Sequence, residues 1–343
     1  MFVGQTNELI NDPVYGLTGG LTTISPTESY KLKVTENSDH TWSGHGSKPE
    51  TTTMNLRKGW NWIGYVPVSG NDLTSALAGI TPSENDVIKC MDDFATYTGG
   101  RWVGTLTELR PGEGYLYYAA NATTFNYPVQ RVFPVANYSR QAAVITGAAP
   151  WSYDTHQYPD NTTLIAQVYA MDSPVIEGTF AVGAFIGKEC RGVGKYVDGK
   201  LFLAIHGTVG DDKTITFKAY EAITGKEYDI NETISFEGQQ TGTFAAPYAL
   251  HLQGATGIDD AVGKEGYTVY PRPLRHRMYV SGASENIKSI QLLSGNGAVV
   301  VRQQGYMEEG IDVSNLVPGV YVVAITLKNG EVYYEKVIKA QNK

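Results

Sequence analysis

The segment Leu21-Thr22-Thr23-Ile24-Ser25-Pro26-Thr27-Glu28-Ser29-Tyr30 aligns without gaps onto Leu106-Thr107-Glu108-Leu109-Arg110-Pro111-Gly112-Glu113-Gly114-Tyr115, with Leu, Thr, Pro, Glu and Tyr at matching positions. A duplicated unit restricts the architecture strongly, because each copy must bury the same positions and neighbouring copies tend to stack. A long stretch, Lys58-Gly59-Trp60-Asn61-Trp62-Ile63-Gly64-Tyr65 through Arg101-Trp102-Val103-Gly104, precedes the second copy, whereas little precedes the first. The chain therefore reads as starting inside a repeat, as a fragment or trimmed product of a longer modular protein. The alternative is a complete domain that uses one strand-turn-strand unit twice.

Around the repeat, Trp60 to Tyr65 alternates as a half-buried strand does. Asn71-Asp72 leads into Leu73-Thr74-Ser75-Ala76-Leu77-Ala78, where Leu73, Ala76 and Leu77 share one helical face and Gly79 can end the turn, so one short helix is predicted near 71–79. Strand spacing resumes at Asp86–Lys89, Phe94–Tyr97 and, after the Pro111–Gly114 turn, at Tyr115–Tyr118. Beyond Pro134 the composition changes. Apolar runs at 164–169, 181–186, 201–205 and 214–220, separated by Gly- or Asp-containing turns, predict an antiparallel sandwich. Gly254 to Asp260 has the composition of a linker. Further strands are expected at 287–293, 298–301, 320–325 and 332–338, with Asn329-Gly330 as a hairpin turn.

With 343 residues the chain exceeds one ordinary core. Its 23 Tyr against 10 Phe, with abundant Gly, favour strands and turns. A formal net charge of -8 and the lack of a basic stripe argue against a nucleic-acid partner. No apolar run is long enough for a membrane-spanning helix, and Met1-Phe2-Val3-Gly4 does not open a signal peptide. Cys90 and Cys190, far apart, are expected as small buried apolar residues rather than a disulfide or zinc set.

Motifs for catalysis are missing from the sequence: there is no nucleophile elbow, phosphate loop or zinc helix, and Gly192-Val193-Gly194 lacks the third glycine of a dinucleotide loop. No catalytic, cofactor-binding or metal residue is assigned, and the chain is expected not to be an enzyme. His40 and His45 lie in a Ser- and Gly-rich loop, as solvated histidines or a weak metal pair. Glu84, Asp86, Asp92 and Asp93 cluster about one strand and offer either an acidic edge or a structural calcium site, and a glycosidase carboxylate pair is a further reading. Glu189 and Arg191 flank Cys190 as a structural ion pair or a site. Trp60, Trp62, Trp102 and Tyr115, with Tyr117 and Tyr118, are either core or a ligand platform for sugar or peptide; Trp60 and Trp62 share a face, most simply the core face.

Tyr270-Pro271-Arg272-Pro273, Ile290 to Gly297, Ile311 to Leu316, Pro318-Gly319-Val320-Tyr321 and Lys336-Val337-Ile338-Lys339 together resemble the C-terminal sorting domain of type IX secretion cargo in Bacteroidetes. That family usually has Asn where this chain has Arg272. The upstream modules are similar to those that accompany such tails in large surface proteins, one marked by Gly59–Tyr65 and Pro111–Tyr115, the other by Ala184–Gly192. The resemblance implies a sorting signal carried by Pro318, Gly319, Tyr321, Lys336 and Lys339, read on a small sheet that ends in an exposed basic strand. It implies secretion or anchoring machinery as partner and an extracellular or outer-membrane surface location.

The expected fold is mainly β, in three β-rich modules: a repeat-bearing module at 1–133 with its first repeat truncated, a central antiparallel β-sandwich at 134–253, a linker at 254–266 and a small Ig-like β-sandwich at 267–343. The expected function is non-catalytic adhesion or display at the cell surface. The alternative is a carbohydrate-binding accessory region of a larger glycan-processing enzyme, with a host or cell-surface glycan or protein as ligand. No cofactor is expected apart from the calcium alternative.

Overall fold

The computed structural model describes residues 1–36, 47–129, 149–170, 173–175, 177, 180–210, 213–221, 225–253, 267–294 and 299–340, so the linker expected at 254–266 and the histidines His40 and His45 fall outside the described residues. The N-terminal module contains β1 (Phe2–Val3), β2 (Glu8–Asp12), β3 (Gly16–Gly19), β4 (Lys31–Leu32), β5 (Thr53–Leu56), β6 (Gly59–Gly64), β7 (Asn71–Asp72), α1 (Leu73–Ala76), β8 (Val87–Lys89), β9 (Phe94–Thr98), β10 (Arg101–Gly104), β11 (Glu108–Leu109), β12 (Gly114–Ala119) and β13 (Thr123–Asn126). The central module runs through β14 (Asp160–Ala170), β15 (Ser173–Pro174), β16 (Phe180–Ile186), β17 (Glu189–Val193), β18 (Lys195–Val197), β19 (Lys200–Gly207), β20 (Thr214–Glu221), β21 (Lys226–Asp229), β22 (Ile234–Ser235), β23 (Gln240–Thr241) and β24 (Tyr248–His251). The C-terminal module holds β25 (Thr268–Tyr270), β26 (Arg277–Ser281), β27 (Ile287–Ser294), β28 (Val299–Gln304), β29 (Ile311–Asp312), β30 (Gly319–Leu327) and β31 (Val332–Lys339).

The sequence repeat is a structural repeat. One sheet has the order β3-β2-β1-β4, and the second copy has β10-β9-β8-β12 with β6 added at its edge. Registers correspond pair by pair: Phe2 faces Leu9 and Leu32 as Ile88 faces Ala95 and Tyr117. Gly19 and Gly104 hold the same place. Both have positive φ, and a Cβ on either would strike the carbonyl oxygen of Glu8 or Phe94 respectively. The turn inside the aligned segment is also the same. The Tyr30 hydroxyl accepts from Ser25 N and donates to Glu28, and the Tyr115 hydroxyl accepts from Arg110 N and donates to Glu113. This explains why the repeat keeps Glu and Tyr two residues apart: carboxylate, phenol and backbone amide close one lock.

In the second copy, alternation along β12 sends Tyr115, Tyr117 and Ala119 into a core with Met54, Leu56, Ile63, Leu73, Ala76, Leu77 and Phe125. Helix α1 caps that core. Asp72 closes its N-terminus by accepting from Ser75 N, and Leu73, Ala76 and Leu77 are its buried positions. Gly79 does not end it through a left-handed conformation; a side chain there would meet the Asn126 carbonyl. Asn61 occupies a core-facing position because its amide donates to Arg57 O and Gly59 O and accepts from Arg57 N, which satisfies the tight turn between β5 and β6.

Two packed sheets form the central sandwich, one built on β14, β19, β18 and β15, the other on β17, β16, β20 and β21 with β22. It is antiparallel except where β23 and β24 pair in parallel with β14. Leu164, Ala166 and Val168 on β14 enter the sandwich core. Ile165, on the other face of β14, is equally buried, because it packs with Val87, Phe94, Val103 and Phe202 against the N-terminal module. That second burial is why β14 is buried without a break from Asn161 to Val168, its polar positions included. The C-terminal module packs the sheet β25-β26-β29 on the sheet β28-β27-β30-β31 around Val269, Met278, Leu292, Val323 and Ile325.

Candidate functional surfaces

The four aromatic residues expected as either core or ligand platform lie on two faces of one sheet. Tyr115 is fully buried in the core below α1. Trp102 packs edge-on against Tyr97 and Tyr117 at the border of the same core. Trp60 and Trp62 do share a face, but it is the face turned away from that core. Trp60 lies edge-on to Tyr118, donates Nε1–H to Gln239 of the central module, and packs against the joint formed by Val87, Phe94, Val103, Ile165 and Phe202. The Lys31 ammonium sits over the Trp62 ring, 4.7 Å from its centroid. The expectation that the Trp60 and Trp62 face is the module's own core is therefore corrected: Asn61 and Ile63 face the core, and the tryptophans face outward.

At the centre of the joint is Lys89, 3% exposed, which no sequence motif singled out. Its ammonium donates to Asn161 O at 2.8 Å and Gly238 O at 3.0 Å and lies 4.6 Å from the Trp60 centroid. Burial pulls its pKa down to about 7, helped by the Lys31 ammonium and opposed by Asp160. An amine poised near neutrality would be nucleophilic in an open cleft, but here two carbonyls and an indole face enclose it. The available signal was a lone Lys between Ile88 and Cys90 in a strand buried on both faces. Around it, Asn161 Nδ2 donates to the carbonyls of Cys90 and Met91, Lys195 pairs with Asp93 at 2.7 Å, and Arg101 pairs with Asp198.

The equivalent loop of the first copy makes the preceding joint. The Gln5 side-chain amide donates to Trp60 O and accepts from Trp62 N, and Gly64 N donates to Thr27 O, so the outer edge of β6 is covered by the first copy.

The four clustered carboxylates do not converge. Glu84 accepts from Thr98 and Gly99, Asp86 from Ser83 N, Tyr117 and Ala120 N, Asp93 pairs with Lys195, and Asp92 stands 3.7 Å from His206. Among the described residues no group of three or more His, Cys, Asp or Glu gathers as a metal site. Glu189 and Arg191 form an ion pair at 3.1 Å, with the guanidinium over the Tyr158 ring at 3.7 Å and the Tyr158 hydroxyl donating to Glu189. Both cysteines are free; burial pushes the Cys90 thiol up to about 11 and raises that of Cys190 as well.

In the C-terminal module, Pro318 and Gly319 turn the chain into β30, and the Tyr321 hydroxyl closes that turn by donating to Val317 O at 2.8 Å. These three residues shape the sheet. Lys339, expected on an exposed basic strand, is 2% exposed and donates to Ala340 O. The reason is alternation: Glu335, Val337 and Lys339 point inward along β31, while Val332, Tyr334, Lys336 and Ile338 alternate on the outer face. That outer face is an apolar stripe with a single Lys at its centre, and Val332, Tyr334 and Ile338 were missed although their period of two was legible. Arg272, the departure from the family pattern, pairs with the buried Glu335 and donates Nε–H to Val269 O. Glu335 also accepts from Val269 N, so Arg272 ties the first strand of the module to the last.

Among the described residues no helix is long and apolar enough to cross a membrane. No curated protein matches the chain. Residues 268–340 match the family model of the secretion system C-terminal sorting domain, and the match begins and ends with the module just described. By that domain the chain is a type IX secretion-sorted protein, exported to the extracellular space or the cell surface.

Proposed function

We propose that residues 1–253 are a non-catalytic passenger used for adhesion or display, which the C-terminal domain delivers by presenting the outer face of β31 to the export or anchoring machinery. The observation that carries this reading is the continuity of the passenger. The first repeat covers the edge of β6, and the second repeat is joined to the central sandwich through an apolar cluster and the Lys89 hydrogen bonds. Polar groups of the kind that usually do chemistry are occupied in holding these joints: Lys89, Asp93 and Asn161 across modules, Glu189 and Arg191 within one. Such a unit transmits force or spaces a binding surface without internal hinges among those contacts.

Deleting residues 267–343 should retain the protein in the periplasm, while the intact chain reaches the surface. Cells displaying the intact chain should adhere to protein-coated surfaces more than cells lacking it. Equal adhesion with confirmed display would refute the adhesive part, and binding of the intact chain on a glycan array would favour the carbohydrate-binding alternative.

A further inference from the structure

The loop at 4–7 and the turn at 25–29 of the first repeat form a rail along β6. Ser29 N donates to Trp62 O, Gly64 N donates to Thr27 O, Glu28 bridges to Ile63, and the Gln5 side chain holds Trp60 O and Trp62 N. A Cβ on Gly64 would strike the carbonyls of Pro26 and Glu28, so strand and turn are in close contact. Apart from Glu28 this rail is uncharged, with Gln5, Thr6, Asn7, Ser25 and Thr27, and β6 carries no charge either.

The second repeat builds the same rail with different side chains. By the matching registers, the shared loop hydrogen bond and the aligned segment, Met91 stands for Gln5, Asp92 for Thr6, Asp93 for Asn7, Arg110 for Ser25, Glu113 for Glu28 and Gly114 for Ser29. The central module takes up one end of it, where Asn161 Nδ2 donates to Cys90 O and Met91 O. Between the rest of the loop and the turn lies a cleft of about 360 Å³, and among the described residues Glu113 has no bridge partner of the kind that Ile63 gives to Glu28. Four carboxylates line the cleft, those of Asp92, Asp93, Glu108 and Glu113, against the single guanidinium of Arg110. Asp93 pairs with Lys195 and Glu108 with Arg110. Glu113 accepts from the Tyr115 hydroxyl, a neutral donor, and the half-exposed Asp92 stands 3.7 Å from His206. Among the described residues neither Asp92 nor Glu113 forms an ion pair with Lys or Arg, so the cleft keeps a negative charge.

We propose that this cleft is a docking site for an extended, lysine- or arginine-bearing segment of a partner protein, lying along residues 91–93 and 112–114 as β6 lies along 5–7 and 27–29. The first copy shows what the fitting accepts: an extended strand, bridged to the turn through its backbone and held by the loop. The exchange of hydroxyl and amide side chains for carboxylates at the same positions sets the charge of what enters the second copy. The use of such a site in adhesion rests on the function proposed above, whereas the binding is a property of the purified chain.

The probe is a terminally blocked peptide with the sequence of residues 59–64 and Lys at the positions of Trp60 and Trp62, and its counterpart carries Glu there. By fluorescence anisotropy with the full chain at low salt, the Lys peptide should bind at least about tenfold more tightly than the Glu peptide. Asp92→Lys should weaken binding of the Lys peptide by about tenfold and Asp92→Asn by about threefold. Both variants should melt close to wild type, because the Asp92 side chain is half exposed. Hydrogen exchange at residues 112–114 should slow when the Lys peptide is present, with residues 27–29 unchanged. No binding, equal binding of the two peptides, or binding without protection at 112–114 would overturn the proposal. So would self-association of the purified chain, seen by sedimentation and abolished by Asp92→Lys, since the occupant would then be a second copy. Peptide binding by a chain whose displaying cells do not adhere would support the site and refute the adhesive function.

Discussion

Replacing Lys89 by Met keeps a long apolar stem in the joint and removes the ammonium, and the consequence is a change in how stability depends on pH. In the folded protein burial depresses the lysine pKa to about 7, against an ordinary value of 10.5. Between those values the unfolded chain holds one proton more than the folded chain, so stability rises with pH, by about 1.4 kcal/mol per unit. Below pH 7 both states are protonated and the full cost of burying the charge is present, about 5 kcal/mol over the whole window. Two carbonyls and the Trp60 ring oppose that cost by holding the charged form. From pH 6.5 to 9.5, wild type should therefore gain about 3 kcal/mol relative to Lys89→Met. Urea denaturation of the full chain, followed by tryptophan fluorescence at a series of pH values, measures it, and taking the difference between the two proteins cancels the titration of other groups. A difference that stays flat across the window would refute the reasoning, since it would mean that the carbonyls and the indole keep the ammonium charged in the joint.

Tyr115→Phe should cost about 1–2 kcal/mol by leaving Arg110 N and Glu113 without the phenol, and Tyr30→Phe should cost less, because the same lock in the first repeat is more open to water; urea midpoints compare the two. Arg272→Asn should destabilise the C-terminal module by about 2 kcal/mol, since Glu335 is buried and would lose its cation, and calorimetry of the full chain should show the transition of that module alone moving down. Ile338→Asp should reduce surface display while the melting temperature stays close to wild type, because the side chain is 54% exposed; display at the wild-type level would remove the outer face of β31 as the recognised surface.

The repeat was legible because its lock is local. Glu, Tyr and the turn before them lie within ten residues, and their spacing is the structure. Helix α1 was equally legible, since Asp72 and the Leu73, Ala76, Leu77 face are a cap and a stripe. What escaped depends on which module lies against which. Trp60 and Trp62 alternate as expected, but alternation states only that they share a face, and the choice between core and outside was made by Asn61, whose burial follows from a turn formed by Arg57 and Gly59. Lys89 and Asn161, like Val87 and Ile165, are distant in sequence and come together only because the second repeat rests on β14. The resemblance implies an exposed basic strand that includes Lys339, while the parity of β31, set by Val337 in the core, turns that residue inward.

The short loop after β1 and its counterpart after β8 acquire a common meaning from the two joints they make. Gly4 N donates to Asn7 O as Cys90 N donates to Asp93 O, so the backbone is one shape in both places. In the first copy that shape offers a side chain, Gln5, to the backbone of the next repeat; in the second it offers its own carbonyls to the side chain of Asn161. Side chain and backbone exchange roles across the seam while the loop keeps its shape. The amide match sits beside a buried apolar cluster at the second seam, so giving the chain a different tip there means replacing the Ile165 and Phe202 patch along with Asn161.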